Sequence, residues 1–384
     1  MNRCSKAIIY KDNLRYNLEN IKKYVNKDTK VCVAVKADGY GTSGLLTAQI
    51  SEELGFDYVA VACVDEGIEL RNAGVKINIL LLSLCTPEEF EDLINFNITP
   101  LVFTEEYIQA LAETAKNIGL DYKFPVFLGI DTGMGRVGCY PDEAAKQAKL
   151  ITDSGVLKLE GMITHFCVSD SLEEKNQQFT KEQYKKFCDA VDDVKAEGIN
   201  PGICTCGASA GMLNNTDMYC DMVRPGIIAY GYYPDEVSEQ YIKSKNKGFD
   251  IKPVMALVTK VVAIRHFPKG KTISYGRTYT CQEDTDIAVL PIGYADGLLR
   301  RYSPGLEVTI NGKKYPVCGR ICMDQCMVNI GKNNPDVKLW DEVIIFGPKE
   351  SGALCTAEDL AKIGHTISYE VMTSLSKRIK REIR

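Results

Sequence analysis

The feature that most constrains the fold is a short apolar run that recurs eight times before residue 232. A polar turn follows each run, and usually an amphipathic stretch follows the turn. Strands with apolar residues on both faces belong to parallel sheets that helices cover. Eight strand–helix units in about 200 residues predict an α/β fold, a (β/α)8 TIM barrel. The runs are 31–35, 58–63, 77–83, 98–103, 124–130, 157–166, 202–206 and 222–231.

The segments between the runs have the period of surface helices. In residues 105–119 the apolar side chains of Ile108, Leu111 and Ala115 fall on one helical stripe. A doubly wound open sheet is the alternative arrangement of strands and helices, but such a sheet needs only about six strands. The strand count therefore favours the closed barrel.

The pattern changes after about residue 245. Runs such as LEVTI and DEVIIFG are separated by short turns, and NGKK after LEVTI is a hairpin signal. With the polar segment 231–250 as the joint, we expect a TIM-barrel domain over residues 1–245 and a strand-rich domain over 246–384. The next long helix is predicted only over 357–383, with the basic residues near its end on the solvated face.

The composition excludes several classes of protein. The net charge is −5, which gives no reason to expect a nucleic acid or an anionic membrane as partner. No segment approaches the roughly 20 apolar residues of a membrane-spanning helix, and the first residues lack the apolar stretch of a signal peptide. We therefore expect a cytoplasmic protein, in which the fifteen cysteines are reduced thiols.

Three cysteines raise the question of a metal site. Cys318, Cys322 and Cys326 are spaced by four residues, but no histidine lies between them and the chain has only three histidines. Structural zinc sites usually combine four Cys or His ligands. We expect no bound metal.

Lys36 is the most informative single residue. It ends the run VCVAV and precedes the turn ADGYG. One side of a strand-end lysine faces the core, and this desolvation lowers the pKa of the amine and makes it nucleophilic. A lysine that merely covers apolar surface with its stem is the alternative interpretation. The barrel favours the reactive one, because the active groups of TIM barrels come from the C-terminal ends of the strands.

Reading those strand ends in chain order gives a set of polar side chains suited to catalysis. The set contains a lysine, two arginines, a histidine and hydroxyl groups. Its members are Lys36, Ser83, Asp131 with Arg136 beyond it, His165, Ser209 and Arg224.

Six motifs, taken together, resemble the alanine racemase family. They are AVKADGYG, DTGMGRVG, MVRPGIIAYG, SYGRTYT, LPIGYADGLLRRY and GRICMDQ, and they occur in the family's order. The resemblance extends from the first barrel strand to SYEVM near the end of the chain. It implies a fold-type III enzyme that uses pyridoxal 5′-phosphate (PLP) to interconvert L- and D-alanine, the D-isomer being a precursor of the cell wall.

The resemblance also implies which residues bind the cofactor. Lys36 would hold PLP covalently, and Arg224 would meet the pyridine nitrogen. Because arginine has no hydrogen-bond acceptor, it would leave that nitrogen unprotonated. The phosphate would be bound by Tyr40, Ser209, Tyr369 and the backbone N–H groups of Gly226 and Ile227.

Racemisation needs proton removal on one face of Cα and delivery on the other, and the resemblance implies two bases, Lys36 and Tyr275. A phenol has a pKa of about 10, so Tyr275 needs a nearby cation or donor, for which His165 is the candidate. Taken from its position alone, His165 is equally consistent with a core histidine. Tyr294 would line the substrate entrance.

Tyr275 lies in the second predicted domain and Lys36 in the first. The resemblance implies a head-to-tail homodimer in which the second domain of one subunit covers the barrel mouth of the other. Arg136 and Met323 would then bind the carboxylate of the amino-acid substrate, for which the fork of an arginine is well suited.

Two positions depart from the family pattern. Gly129 stands where the family commonly has a lysine whose carbamylated side chain holds the arginine, so an anion, another carboxylate or an altered substrate site is expected near Arg136. Ala208 replaces an asparagine before Ser209. These departures keep open a serine or broad-specificity racemase. A non-catalytic PLP-binding protein is the alternative outside the enzymes, and SYGRTYT in the second domain argues against it.

Overall fold

The computed structural model describes residues 3–245 and 248–384. Within them, eight strands form a closed barrel, with neighbouring strands parallel throughout. The predicted barrel is therefore confirmed, and each strand lies within or overlaps its predicted run. The strands are β2 (Lys30–Ala34), β3 (Tyr58–Val61), β4 (Asn78–Leu81), β5 (Ile98–Val102), β6 (Phe124–Gly129), β7 (Leu157–Ile163), β8 (Ile203–Ala208) and β9 (Met222–Arg224).

Helices follow most of these strands, and their sequences explain their limits. The helix Glu105–Ile118 begins where the Thr104 side chain accepts a hydrogen bond from the Tyr107 backbone, and it ends at Gly119 in the left-handed conformation. Ile108 and Leu111 are buried on its inner face. The other helices of this part are Lys11–Tyr24, Gly44–Glu53, Val64–Asn72, Phe90–Asn95, Ala144–Asp153, Glu174–Ala196, Ser209–Asn214 and Glu239–Ser244.

The barrel interior is a packed core, closed below the mouth. Alternate residues of the strands point inward, as the period of a strand requires. Phe127 packs edge-on against Tyr58, with ring centroids 6.0 Å apart. Because the core fills the barrel's lower part, any ligand space must lie at the C-terminal ends of the strands. The core cluster consists of Cys32, Tyr58, Ala60, Leu80, Leu101, Phe127, Ile163 and Met222.

The second part is rich in strands, as the change of pattern predicts. The strands are β1 (Lys6–Ile9), β10 (Met255–Lys260), β11 (Ala263–Phe267), β12 (Thr272–Ile273), β13 (Tyr279–Thr280), β14 (Thr285–Leu290), β15 (Glu307–Ile310), β16 (Lys313–Cys318), β17 (Cys326–Gly331), β18 (Glu342–Phe346) and β19 (Lys380–Ile383). Nine of them form one sheet in the order β11-β14-β17-β16-β15-β18-β10-β1-β19, and β12 pairs with β13 in a separate hairpin.

The predicted long helix over 357–383 is wrong. Two short helices, Ala357–Ile363 and Ser368–Thr373, precede β19, which pairs in parallel with β1. The periodicity of the segment is that of a helix, but hydrogen bonds to a strand from the other end of the chain override it. The basic residues of the segment therefore do not share one helical face.

The predicted domain limits stay a prediction. Residues 1, 2, 246 and 247 lie outside the described residues, and residue 246 is the first residue of the predicted second domain. The strand β1 precedes the barrel in sequence, yet it lies in the nine-stranded sheet between β10 and β19. None of the helices in the described part of the chain has the length and apolarity that a bilayer crossing requires.

Candidate active site

A cavity of about 720 Å³ opens at the C-terminal ends of the barrel strands. Its size is typical of sites for small molecules and cofactors. Ser83 from the set of strand-end residues lines this cavity, and so do nine of the twelve residues to which the family resemblance assigns a role. They are Lys36, Tyr40, Arg136, His165, Ser209, Arg224, Gly226, Ile227 and Tyr369.

Lys36 begins an unusual turn directly after β2. Ala37, Asp38, Gly39 and Tyr40 all have left-handed backbone angles, with φ between 49° and 59°. A non-glycine residue in this region costs about 1–2 kcal/mol, and three of the four carry a side chain. Hydrogen bonds hold the turn, among them Gly39 N–H to the Val35 carbonyl at 2.7 Å. Such strain persists only where the surroundings determine the conformation, and it is common at functional sites.

The Lys36 amine lies in a partly buried position at the cavity. Burial lowers its pKa, the positive charges of Arg136 and Arg224 lower it further, and Glu66 opposes this shift. A lowered pKa increases the fraction of neutral amine at a given pH. Neutral amine is the form that attacks a carbonyl or accepts a proton, so the structure supports the reactive interpretation of Lys36.

Aromatic rings form one wall of the cavity. Tyr40 stacks on Tyr230 with centroids 4.8 Å apart, and Tyr369 lies 5.8 Å from Tyr40. The hydroxyl of Tyr230 donates to the Ala34 carbonyl at 2.8 Å, so Tyr230 belongs to the core. Burial raises the pKa of Tyr40 to about 12, which keeps its phenol protonated and able to donate a hydrogen bond.

The backbone at Gly226 approaches Tyr40 too closely for any side chain. A Cβ atom at position 226 would stand 2.5 Å from the Tyr40 hydroxyl oxygen. The Gly226 N–H donates to the Ser209 hydroxyl at 2.9 Å. Three predicted phosphate-binding groups, the hydroxyls of Tyr40 and Ser209 and the chain at 226–227, therefore meet in one corner of the cavity.

Arg224 is buried at the end of β9 and has no acidic partner among the described residues. It donates to the Thr205 hydroxyl at 2.6 Å, the Thr164 carbonyl at 2.7 Å and the Cys206 carbonyl at 3.3 Å. Burial lowers its pKa from the usual value of a guanidinium. A buried arginine with neutral partners keeps its full positive charge available to a ligand, because no carboxylate compensates it.

His165 stays uncharged at neutral pH. Burial and the positive charges of Arg224, Arg136 and Lys36 lower its pKa to about 3. Its Nδ1 atom lies 3.4 Å from an Arg224 Nη atom. Because the guanidinium only donates, Nδ1 accepts and the ring proton is on Nε2. The site is therefore a cluster of positive charges around a neutral imidazole.

Arg136 stands on an exposed loop after β6. The Asp131 carboxylate accepts hydrogen bonds from the N–H groups of Gly133 and Gly135, at 2.9 and 3.0 Å, and so fixes the loop. Within the described residues the Arg136 guanidinium has no hydrogen bond or ion pair. Gly129 lines the cavity as well, and a Cβ there would meet Leu101 at 3.3 Å. Nothing in the described chain replaces the side chain that the family commonly has at this position.

The other three predicted site residues lie elsewhere. Tyr275, Met323 and Tyr294 are 68%, 52% and 39% exposed, and none of them lines the cavity of the described chain. They stand on loops that are joined to each other. The Ser274 hydroxyl donates to the Arg320 carbonyl at 2.7 Å, and the Tyr294 N–H donates to the Cys322 carbonyl at 3.0 Å.

Sequence reasoning missed several polar residues of the site. Glu66 lines the cavity from the first turn of the helix after β3, and an acidic residue beyond a barrel strand is a signal that could have revealed it. The Thr205 hydroxyl on β8 accepts a hydrogen bond from Arg224. The alternation of side chains along the strand is a signal that Thr205 points into the barrel. Arg381 donates to the Gly41 carbonyl at 3.0 Å. No local signal marks Arg381, because its partner is at the other end of the chain.

A lysine at the mouth of a barrel, beside a cavity lined by buried cationic and hydroxyl groups, defines the class of barrel enzymes that act on small molecules. The family models of the alanine racemase N-terminal and C-terminal domains match residues 9–234 and 254–383. The chain therefore belongs to the alanine racemase family.

Individual relatives agree along the whole chain. An alanine racemase of Treponema denticola is 48% identical over 381 residues, which cover 99% of this chain and 98% of the relative. A solved alanine racemase of Clostridium difficile has 38% identity and a TM-score of 0.90, covering 100% of this chain and 96% of that one. The alanine racemase of Bacillus anthracis with bound L-Ala-P has 30% identity and a TM-score of 0.90, with coverage of 100% and 96%.

Proposed function

We propose that this protein racemises alanine with PLP as cofactor and supplies D-alanine for cell-wall synthesis. The observation that carries the proposal is the pairing of Lys36, whose amine has a lowered pKa, with Arg224, which is buried and has no carboxylate partner among the described residues. The relatives named above are alanine racemases by name, which supports alanine as the substrate.

The residues present fit PLP. A narrow corner between Gly226, Tyr40 and Ser209 offers the hydroxyl groups of Tyr40 and Ser209 as donors for a phosphate, and a Cβ at position 226 would fill it. The Gly226 N–H donates to the Ser209 hydroxyl and so holds that hydroxyl in the corner. Lys36 supplies the amine for covalent attachment. Arg224 offers a charged donor and no acceptor, which suits an unprotonated pyridine nitrogen.

When bound, PLP would take up the electron pair that remains at Cα after a proton leaves. Lys36 would remove or return that proton on one face of Cα. Because Arg224 only donates hydrogen bonds, it would leave the pyridine nitrogen unprotonated, which would favour rapid return of the proton over transamination. Tyr275 would exchange the proton on the opposite face.

In this proposal Tyr275 comes from a second copy of the chain. Its side chain is 68% exposed, and Met323 and Tyr294 on the neighbouring loops are exposed too. Exposed apolar and aromatic residues grouped on one face are typical of interfaces. A head-to-tail homodimer would place this face over the barrel mouth of the partner, where Arg136 is free to meet the substrate carboxylate.

Free thiols support a cytoplasmic location. All fifteen cysteines lie within the described residues and none of them forms a disulfide. Reduced cysteines in this number are typical of proteins from a reducing compartment.

A racemase for serine or for several amino acids is the second candidate. The observation that favours it is Gly129, which leaves the cavity wall near Arg136 without a side chain. In that case a group of a larger substrate, or an anion, would interact with Arg136 in place of a side chain from position 129.

A panel of L-amino acids tests both candidates. The purified protein is loaded with PLP, and the D-enantiomer is measured by chiral chromatography for alanine, serine and larger substrates. Alanine as the preferred substrate supports the proposal, and comparable turnover of serine supports the alternative. Bound PLP without production of any D-amino acid would identify a non-catalytic PLP-binding protein.

A further inference from the structure

The left-handed turn after Lys36 needs an explanation, because its sequence alone does not favour it. It carries Tyr40 into the corner of the cavity where Tyr40, Ser209 and Gly226 meet, and it sets the direction in which Lys36 points. Ala37, Asp38 and Tyr40 have positive φ angles of 53°, 49° and 54°. Residues with a side chain disfavour the left-handed backbone region, so contacts from outside the turn must stabilise its conformation.

One such contact is at the beginning of the turn. The Glu66 carboxylate accepts the Ala37 N–H at 2.6 Å with one oxygen and the Ala62 N–H at 2.8 Å with the other. Glu66 therefore joins the segments that follow β2 and β3. Hydrogen bonds to an ionised carboxylate are stronger than those between neutral groups.

The other contact is at the end of the turn. Arg381 donates to the Gly41 carbonyl at 3.0 Å and to the carbonyls of Leu375, Ser376 and Ile379 at 2.9, 2.9 and 2.7 Å. One guanidinium thus fastens the segment before β19 to the turn of Lys36.

The packing between these two segments is close. A Cβ at Gly41 would stand 2.4 Å from the Met372 carbonyl oxygen. The helix Ser368–Thr373, which contains Met372, also carries Tyr369 to the cavity. Movement of this segment would therefore displace the turn and Tyr369 together.

We propose that Glu66 and Arg381 are positioning residues of the PLP site, which hold the left-handed turn at its two ends and so aim Lys36 and Tyr40. This inference rests on the proposed function and deepens it. Neither residue is assigned a role by the resemblance of the motifs. The two act differently, because Glu66 also lies close enough to Lys36 to influence its charge, whereas Arg381 does not.

The charges around Lys36 set the sign of that influence. Arg136 from the loop after β6 and Arg224 from β9 favour the neutral amine, and Glu66 favours the ammonium. His165, after β7, stays neutral because its own pKa is about 3. Removing the charge of Glu66 should therefore lower the pKa of Lys36.

The experiment measures PLP binding by the apoprotein of full-length variants. In Glu66→Gln one amide oxygen remains for two N–H donors, and we expect PLP to dissociate about tenfold faster than from the wild type. The rate of PLP capture, followed against pH through the absorption of lysine-bound PLP, should have its midpoint at lower pH. The single ammonium of Arg381→Lys cannot donate to all four carbonyls, so we expect PLP to dissociate about tenfold faster from this variant as well. The pH midpoint of PLP capture should stay unchanged, because Arg381 does not influence the charge of Lys36.

Controls come from the same elements. Glu69→Gln changes an exposed glutamate on the helix of Glu66, and Arg384→Lys changes an arginine that is half exposed just after β19. Both should bind PLP as the wild type does. Thermal unfolding of the apoproteins separates positioning from general stability.

The outcomes are distinct. Wild-type PLP kinetics in both variants would overturn the proposal, and so would loss of the folded apoprotein in both, since that shows a purely structural role. Because Glu66→Gln nearly preserves shape, it gives a result even if Arg381→Lys does not fold. Failure of the wild type itself to bind PLP through Lys36 would instead reject the proposed function.

Discussion

The two halves of the predicted catalyst differ in their surroundings. Lys36 lies in a cavity where neighbouring side chains and backbone groups of its own chain are already hydrogen-bonded in place. Tyr275 is 68% exposed and does not line that cavity in the described chain. The contrast teaches that, under the proposed function, one chain would build the cofactor site by itself, whereas Tyr275 would need the surface of another chain to act as the second base. Four experiments test this contrast.

Lys36→Ala should have the largest effect. We expect racemisation to fall by at least about 10³-fold and covalent PLP to be lost, because both the attachment point and one base disappear. Activity and the absorption of lysine-bound PLP are measured together. The control is Lys30→Ala at the start of β2, where the lysine is paired with Asp57. Racemisation that survives in Lys36→Ala would refute the assignment of the barrel half.

Tyr275→Phe should retain PLP but lose about 10²–10⁴-fold of the rate in at least one direction. The ring remains while the proton-transferring hydroxyl is removed. Rates from L-alanine and from D-alanine are measured separately, with the exposed Tyr122→Phe as a matched control. Normal rates in both directions would show that another group serves the second face.

Mixing the two inactive proteins should restore activity if the halves come from different subunits. In a random mixture of Lys36→Ala and Tyr275→Phe about half of the dimers are mixed, and each mixed dimer has one intact site, so about a quarter of the wild-type activity is expected. The subunits are exchanged by dissociation and reassembly. A mixture of Lys36→Ala with Arg224→Gln, both altered in the barrel half, should stay inactive. Equal activity of the two mixtures would contradict the head-to-tail arrangement.

The smallest effect concerns the stability of the barrel half. The pKa of His165 is about 3 in the folded protein and about 6.5 in an unfolded chain. Below pH 6.5 the unfolded chain binds a proton that the folded chain does not bind, so the free energy of unfolding should fall by up to about 1.4 kcal/mol per pH unit between pH 6.5 and 3.

His165→Gln should reduce this slope, as measured by urea unfolding at several pH values. His365→Gln changes a histidine in an exposed turn and should leave the slope of stability against pH unchanged. An unchanged slope in His165→Gln would show that other groups cause the acid sensitivity.

Much of the fold was predictable because each barrel strand is marked locally. The run VCVAV, for example, is apolar on both faces and ends at a lysine and a glycine-rich turn, and β2 ends one residue before that run does. The last strand was not predictable, because residues 380–383 form a strand only through pairing with β1. Local periodicity cannot report a partner from the far end of the chain.

The site shows the same division. Lys36 and Arg224 are recognisable because each stands at a strand end within a specific motif. The role of the Gly226 N–H, which is already bonded to Ser209, depends on side-chain geometry that no motif contains. The contacts of Arg381 likewise depend on the fold as a whole.

Arg381 has a consequence for the order in which the protein is built. The turn that carries Lys36 is synthesised early. The guanidinium that donates to its Gly41 carbonyl belongs to Arg381, which is synthesised near the end of the chain. The barrel strands can pair before then, because all eight lie ahead of residue 225. A nascent chain would therefore contain an assembled barrel in which the turn of Lys36 still lacks its contact with Arg381. We expect such a chain to bind the proposed cofactor, PLP, only when the last strand has paired with the first.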